Sequence, residues 1–298
     1  MKSWFMVNSI RFFSFFPLAL LRLFGRFLGY CLWWSNGRSR QITEFNLGLC
    51  FADWSPQQRR DLAKQSLRHL ATQVLETGPM WFWQPQRLLS LIARVEGLPV
   101  LEQAEGANKG TLILAPHIGN WEMLGVFLGH RGKITILYQP QDDEAIDKLI
   151  YDARTRTGVT VVPTNTKGVK AMLKALKAGE TVAILPDQIP SEGAGEFVDF
   201  YGEPVSTMTL VHSLLQRTGA RAIAAIGEQQ GLNRFQLRFL AVDEAIYEKD
   251  LLTSLSALNR SIERCVSLSP AQYQWEYNRF KYLPNGGRRS YKQPKKDS

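Results

Sequence analysis

Residues 111–122 read TLILAPHIGNWE, and the order of apolar and turn-forming residues in this stretch predicts the type of fold. Its first four residues form an apolar run that is typical of a buried strand, and a second apolar run with helical character follows it. Between the two runs, Pro116 and Gly119 break regular structure, and Asn120 is a favourable residue at a helix N-terminus. The stretch therefore predicts a strand, a turn that holds His117, and a helix that begins near Asn120.

The same turn carries a pair of residues that is suited to acid–base chemistry. His117 and Glu122 form a general base and its orienting partner in one interpretation. Positions i and i+5 of a regular helix lie about 140° apart, so the two side chains can meet only if His117 precedes the helix. Two structural alternatives remain open: Glu122 as a first-turn acid that the helix dipole favours, and His117 as a structural residue at a strand end.

Strand-like and helix-like segments alternate after Lys109, which indicates an α/β sheet with crossover helices. The predicted strands cover 111–115, 134–138, 159–162, 181–185, 221–226 and 235–241, and the predicted helices 120–129, 143–157, 167–178 and 207–217. Functional residues of such sheets gather at the carboxyl ends of strands, where His117 and Asp187 both fall.

A helical layer is expected to precede the sheet, over residues 39–94. One predicted helix begins at Pro56, with Ser55 as its N-cap, and is expected to stop at Gly78-Pro79. A second, short helix is predicted over Pro85–Arg94.

The charge of the chain is concentrated at its two ends. The formal net charge is +9, but residues 1–40 and residues 279–298 carry +6 each, which leaves the body slightly acidic. This distribution argues against a broad nucleic-acid surface and favours contacts with anionic lipid or an acidic partner. The three cysteines, Cys31, Cys50 and Cys265, show neither metal-ligand spacing nor a disulfide framework, so a reducing, cytosol-facing body and no metal are expected.

Residues 4–34 are strongly apolar and aromatic but are interrupted by arginines. Arg11, Arg22 and Arg26 fall on one side of a helical projection, which predicts a helix in the membrane interface with a basic stripe toward the headgroups. Pro17 is expected to kink this helix. A tilted span with snorkelling arginines and a structural helix on a soluble core are the alternatives.

Beyond these patterns, the sequence resembles the bacterial lipid A biosynthesis acyltransferases. The resemblance rests on blocks that occur in order along nearly the whole chain: the apolar N-terminus, 46–51 (NLGLCF), 110–122 with its His-x4-Glu element, 185–188 (LPDQ), 201–202 (YG), 217–220 (RTGA), 274–275 (QW) and 279–281 (RFK). The wider glycerolipid acyltransferases carry Asp where this chain has Glu122, which favours the lipid A branch. The family also contains acyltransferases for mannosides and other glycolipids, and the sequence leaves these open.

The resemblance implies a fold, a reaction and a set of site residues. The fold is a mixed, mostly parallel central sheet flanked by helices, similar to that of glycerolipid acyltransferases, with an N-terminal membrane-associated helix. The implied reaction moves a fatty acyl chain from acyl carrier protein to a hydroxyl of a lipid A precursor, without a cofactor beyond the donor. His117 is then the general base, and Glu122 holds its tautomer.

The other site residues implied by the resemblance support the substrates. Arg154 would face an oxyanion or a substrate phosphate, and Asp187, Asn120 and Gln188 would give polar support. A solvated helix face is the alternative for Arg154, and a turn-forming role is the alternative for Asp187.

The expected organisation follows from these interpretations. Residues 1–36 form a membrane-anchoring helix, 37–284 the acyltransferase domain, and 285–298 a basic polar tail that contacts either the carrier protein or headgroups, or is simply a solubilising tail. The expected location is the cytoplasmic face of the inner membrane, in contact with its lipids. An acyltransferase for another membrane glycolipid or a lysophospholipid, and a non-enzymatic membrane-peripheral binding protein, are the rival functions.

Overall fold

The computed structural model describes residues 2–291, which form an α/β fold around one large sheet. The helices are α1 (Lys2–Phe13), α2 (Leu18–Trp34), α3 (Arg38–Cys50), α4 (Pro56–Phe82), α5 (Pro85–Leu89), α6 (Leu98–Gly106), α7 (Trp121–Arg131), α8 (Glu144–Thr155), α9 (Thr166–Lys177), α10 (Leu210–Thr218) and α11 (Leu251–Leu268). The strands are β1 (Ile92–Glu96), β2 (Thr111–Leu114), β3 (Ile134–Tyr138), β4 (Val159–Pro163), β5 (Thr181–Ile184), β6 (Gly195–Phe200), β7 (Glu203–Met208), β8 (Arg221–Gln230) and β9 (Arg234–Ala241).

Seven of these strands form a mixed sheet in the order β1-β9-β8-β2-β5-β3-β4. Only β8 and β9 pair in an antiparallel manner within it, and β6 and β7 form a separate antiparallel hairpin. Alternate residues of β2 enter two different cores, Leu112 and Leu114 on one face and Ile113 and Ala115 on the other. Burial on both faces explains the continuous apolar run of this strand. The strand pairing confirms the predicted mostly parallel sheet.

The strand order places two carboxyl ends side by side. β2 pairs with β5 in parallel, and the last register partners are Leu114 and Ile184. His117 and Asp187 each follow three residues after these partners. The chain therefore delivers both side chains to the same edge of the sheet.

The N-terminal segment forms two helices rather than one kinked helix. Within residues 2–291, no single helix is long and apolar enough to cross a bilayer; Trp4–Phe13 and Leu18–Trp34 reach that length and composition only as a pair, across a bend of 119°. Pro17 stands at the N-cap of α2, where its missing N–H removes no helical hydrogen bond. Of the sixteen large hydrophobic side chains that are exposed in the described part of the chain, eleven lie between Trp4 and Trp34.

The predicted basic stripe of this segment is wrong at Arg22. This side chain is 1% exposed and its Nε donates to Glu76 Oε1 at 2.6 Å, so it faces the protein and not headgroups. Gly25 and Gly29 allow the approach, because a Cβ at either would collide with the backbone of α4 at Thr72 or Arg68. The two glycines follow Arg22 at helical spacing, which turns the arginine toward α4.

Several predicted boundaries also differ from the structure. The helix from Pro56 does not stop at Gly78-Pro79 but continues to Phe82. Gly78 serves a close contact instead, because a Cβ there would collide with the carbonyl oxygen of Ile10 in α1. The second predicted helix ends at Leu89, since the residues after it form the edge strand β1 beside β9. The predicted helix over 207–217 begins later, at Leu210, because β7 takes residues up to Met208.

The first part of the predicted tail folds back on the domain. Arg289 forms an ion pair with Glu203 at 2.7 Å, and its backbone N–H donates to the carbonyl of Lys281. The guanidinium of Arg288 lies over the ring of Tyr282. The lysines at 292, 295 and 296, which belong to the same predicted tail, lie outside the described residues.

Candidate active site

The turn between β2 and α7 is fixed by backbone hydrogen bonds on both sides. Gly119 N–H donates to the carbonyl of Gln272 and Asn120 N–H to that of Gly227, while the carbonyl of His117 accepts from Gln274 N–H at 3.1 Å. Gly119 has a φ of +60°, and a Cβ there would collide with the Gly227 carbonyl. The turn thus requires glycine, and it holds His117 outside the helix, as the sequence predicted.

The imidazole of His117 is bonded to Asp187, the residue that follows the adjacent strand. His117 Nδ1 lies 2.7 Å from Asp187 Oδ1, and His117 backbone N–H donates to Asp187 Oδ2 at 2.9 Å. Because an ionised carboxylate only accepts hydrogen bonds, Nδ1 carries the proton and Nε2 keeps its lone pair. The arrangement presents Nε2 as a base.

The surroundings keep Asp187 ionised although it is 2% exposed. Burial acts to raise the pKa of this carboxyl, but the charge and hydrogen bonds of His117 and the positive charge of Arg279 outweigh it and hold the pKa below its ordinary value. Arg279 is itself buried, and its Nη1 donates to the backbone carbonyl of Asp187 at 2.6 Å while its Nη2 donates to Asn259. The carboxylate is therefore available to stabilise an imidazolium.

Polar and aromatic groups surround the other face of the imidazole. Gln188 Nε2 lies 3.3 Å from His117 Nε2 and also donates to Gln274 Oε1 at 3.0 Å. The ring of Trp121 packs edge-to-face on the imidazole, with centroids 4.6 Å apart. The His117 side chain keeps 12% of its surface exposed, so a small polar group can reach it from solvent.

Glu122 occupies a different place from the one that spacing favoured, and the expected contact with the imidazole is replaced by an ion pair with Arg154. Its carboxylate accepts three hydrogen bonds from Arg154, the shortest from Nη2 at 2.6 Å, while both ring nitrogens of His117 face Asp187 and Gln188. Burial acts to lower the pKa of Arg154, and the Glu122 carboxylate outweighs it, so the pKa is raised. The first turn of α7 points Glu122 toward α8, and the resulting ion pair is half-buried.

Asn120 likewise points away from the reacting edge. It occupies the N-cap position of α7, but its side chain makes no capping hydrogen bond and Nδ2 instead donates to Glu76 Oε2 at 2.7 Å. Glu76 is fully buried and also accepts from Gln229 and Arg22. Asn120 therefore supports the turn from behind.

An apolar cavity opens beside Trp121, Glu122 and Arg154. It has a volume of about 50 Å³ and lies between α7, α8 and strands β3–β5. Apart from the Glu122–Arg154 pair, its walls are mostly aliphatic or small: Ala115, Leu124, Gly125, Leu128, Ile134, Ile136, Leu137, Ala153, Val159, Ala183 and Leu185. Such a cavity suits an unbranched hydrocarbon chain.

Sequence reasoning did not assign Arg279, Gln274 or Glu76 to the site. Arg279 and Gln274 lie in two of the blocks that carried the resemblance, and Glu76 is the one carboxylate between the apolar residues near the end of α4. Within residues 2–291, no group of three or more His, Cys, Asp or Glu is placed to hold a metal ion. The need for no cofactor beyond the acyl donor stays a prediction.

A histidine held by a buried carboxylate, close to an apolar cavity, is a candidate site for acid–base chemistry on an apolar substrate. The comparison with known proteins agrees: residues 1–282 match the family of bacterial lipid A biosynthesis acyltransferases, and the chain belongs to that family. It is 28% identical to the lipid A biosynthesis lauroyltransferase of Escherichia coli K12 over 251 residues, which cover 84% of this chain and 81% of that protein. It is 27% identical to the palmitoleoyltransferase of the same organism, with the same coverage of both chains.

The chain also has a shorter stretch of similarity to an acyltransferase that is named for a different glycolipid. A phosphatidylinositol mannoside acyltransferase of Mycobacterium tuberculosis is 28% identical over 130 residues, or 42% of this chain and 41% of that protein. The family assignment confirms the resemblance drawn from the sequence, and it places the chain among acyltransferases.

Proposed function

We propose that this protein transfers a fatty acyl chain from the thioester of acyl carrier protein to a hydroxyl of a lipid A precursor. The observation that carries the proposal is the His117–Asp187 pair, which leaves the lone pair of Nε2 free close to Ala115 and Trp121, two residues that line the apolar cavity. The family assignment gives acyl transfer in lipid A synthesis its coarse support. The carrier-bound donor and the residue roles below are our inference.

In the proposed reaction, His117 Nε2 takes the proton of the acceptor hydroxyl as its oxygen attacks the thioester carbonyl carbon. The negative charge of the tetrahedral intermediate moves to the carbonyl oxygen, and Asp187 stabilises the imidazolium that has formed. When the C–S bond breaks, the imidazolium gives its proton to the thiolate. One ester and one thiol replace one thioester and one alcohol, and the base is restored.

The remaining polar residues are assigned by their positions. The Gln188 amide, next to Nε2, is suited to donate to the oxyanion or to the acceptor. The Glu122–Arg154 pair lines the cavity and places a guanidinium at its wall, where it can orient the thioester end of the acyl chain. Part of the acyl chain would occupy the aliphatic cavity.

A place at the cytoplasmic face of the inner membrane follows as part of the proposal. The exposed aromatic and aliphatic side chains of α1 and α2 form an apolar surface of the kind that inserts into a lipid interface. The donor is cytosolic in this reaction, and the acidic carrier would meet the basic ends of the chain.

The decisive test is acyl transfer by the purified full chain in neutral detergent, with a panel of acyl carrier protein donors and the products read by mass spectrometry. His117→Ala is expected to lower turnover by roughly 10²–10⁴-fold. His130→Ala, an exposed position near the end of α7, the helix that follows His117, serves as the matched control and should keep full turnover. Undiminished transfer by His117→Ala would remove the proposed base.

The acceptor is tested in the same assay. Parallel reactions with a lipid A precursor, a phosphatidylinositol mannoside and a lysophospholipid separate the proposed acceptor from the two rivals. Acylation of either rival in preference to the lipid A precursor would overturn the acceptor assignment and keep the base. If the wild-type chain transferred an acyl group to none of the three, the result would favour the hypothesis of a non-enzymatic membrane-peripheral binding protein.

A further inference from the structure

A second cavity lies between α2 and α4, and none of its lining residues belongs to the His117–Asp187 site. It is lined by Arg22, Arg26, Gln65, Arg68, His69, Thr72, Gln229 and Gly231. Its volume is about 290 Å³, against roughly 10–15 Å³ that one water needs by the same measure. A cavity of this size has room for an anionic group together with part of the molecule that carries it.

The charges of this basic cavity are only partly matched. Arg22 is paired with Glu76, but Arg26 and Arg68 have no ion-pair partner among residues 2–291. Arg26 donates only to the Gly231 carbonyl, and the guanidinium of Arg68 lies over the ring of Tyr30 at 5.2 Å. Two guanidinium groups therefore face a common space without a counter-ion.

A buried donor is also left without a partner there. Arg22 is 1% exposed, and its Nε and Nη1 are used by Glu76 and by backbone carbonyls of the β8–β9 turn, but its Nη2 has no hydrogen-bond partner in the structure. The Nε of Arg68 is likewise buried and unbonded. Unpaired buried donors cost free energy, and an anion in the cavity would satisfy them.

The other lining residues fit an anion as well. Burial lowers the pKa of His69, and the nearby charges of Arg26, Arg68 and Arg22 lower it further, against the hydrogen bond that His69 Nδ1–H donates to Gln229 Oε1. The effect of the three arginines reflects the positive potential of the cavity. No acidic side chain lines the cavity, because Glu76 lies behind Arg22 and Gln229. Planar guanidinium groups bind phosphate oxygens in pairs, so a phosphate group is the best match.

We propose that the basic cavity between α2 and α4 binds the phosphate group of an anionic membrane lipid. The shared chemistry is a phosphate, which either a lipid or the free ion can supply. The lipid is favoured because Leu23, Phe24 and Phe27, which are exposed on α2, stand beside Arg22 and Arg26 in the sequence. An apolar surface that enters the lipid interface thus brings the cavity to the depth of the headgroups.

The test is a binding measurement on the full chain in neutral detergent, and it requires no acyl transfer. Isothermal titration compares three probes: dihexanoylphosphatidic acid, inorganic phosphate and dihexanoylphosphatidylcholine. We expect phosphatidic acid to bind at least tenfold more tightly than inorganic phosphate, and phosphatidylcholine to give no saturable binding. Inorganic phosphate that binds as tightly as phosphatidic acid would overturn the assignment to a lipid.

Matched variants locate the binding. Arg26→Gln and Arg68→Gln each remove one guanidinium, and each is expected to weaken phosphatidic acid binding by about ten- to a hundredfold. Arg60→Gln, an exposed position two turns earlier on α4, should change it less than twofold. Thermal unfolding confirms that each variant is folded. If Arg68→Gln does not fold, Arg26→Gln still tests the site, because Arg26 is partly exposed. Equal affinities for the wild-type chain and Arg26→Gln would refute the site.

Discussion

Replacing Asp187 by Asn is the sharpest test of how the base is held. The two carboxylate oxygens accept from two different donors of one residue, the imidazole Nδ1–H at 2.7 Å and the backbone N–H of His117 at 2.9 Å. An amide has only one oxygen. If that oxygen accepts from the backbone, the amide NH2 faces Nδ1 and forces the proton onto Nε2, which is then no longer a base. If it accepts from Nδ1–H, the NH2 opposes the backbone N–H.

Either arrangement removes the negative charge that stabilises the imidazolium. The expected loss in turnover is about 10²–10⁴-fold, the range of a correctly held general base, and amide replacement of a histidine-orienting aspartate reaches about 10⁴-fold in serine proteases. The assay is steady-state acyl transfer, in which the loss should fall on kcat and leave KM for the donor nearly unchanged.

The control is Asp152→Asn, an exposed carboxylate on α8 that is paired only with Lys148. It should retain wild-type turnover. A folded Asp187→Asn variant that keeps more than a tenth of the wild-type kcat would refute the assignment of Asp187. If Glu122→Gln were inactive at the same time, Glu122 would regain the orienting role that spacing first favoured.

Two further predictions concern the cavity wall and a buried acid. Gly125 lines the apolar cavity, and a Cβ there meets no atom within 4 Å, so Gly125→Leu should fill part of the cavity and shift donor preference toward acyl chains about four carbons shorter. Gly48→Leu, at a position that is equally open but outside the cavity, should leave the preference unchanged. Unchanged chain lengths in mass spectra of the Gly125→Leu products would contradict the acyl-chain assignment. Burial raises the pKa of Glu276 to about 7, above the 4.5 of the unfolded chain, so this group lowers the free energy of unfolding progressively as pH rises from about 4.5 to 7. In denaturant titrations, the free energy of unfolding of Glu276→Gln relative to the wild type should therefore increase by up to about 3 kcal/mol between pH 4.5 and pH 8. A difference between the two proteins that does not change with pH would contradict this cause.

The sheet was predictable because its strands are buried on both faces. Apolar runs such as 111–115 and 181–185 stand out against the amphipathic helices between them, and the structure confirms strands β2 and β5 there. The edge strand β1 was missed because its exposed Ala93 and Arg94 interrupt any apolar run. The β6–β7 hairpin was missed for a similar reason: its strands alternate polar and apolar residues beside the helical pattern of α10.

The N-terminal arginines show where periodicity gives an incomplete answer. A helical projection places Arg22 and Arg26 on one face, and that is correct. It cannot tell whether that face meets lipid headgroups or the buried carboxylate of Glu76, which lies 54 residues further along the chain. A buried ion pair needs a partner from another element, so tertiary packing decides the matter.

The partner of His117 was hidden by the same kind of limit, and strand order resolves it. Spacing along one segment can place only near neighbours, and it favoured Glu122. A parallel sheet brings together the ends of strands that are distant in sequence: β2 pairs with β5, and His117 and Asp187 each stand three residues beyond the paired residues Leu114 and Ile184. Glu122 then has a different partner, Arg154. Because the turn holds His117 outside the helix, the first turn of α7 is free to direct Glu122 to Arg154 at the wall of the apolar cavity. In the proposed mechanism, the His-x4-Glu spacing sets the distance between the base and the apolar cavity, and Asp187 rather than Glu122 is the acid that holds the base.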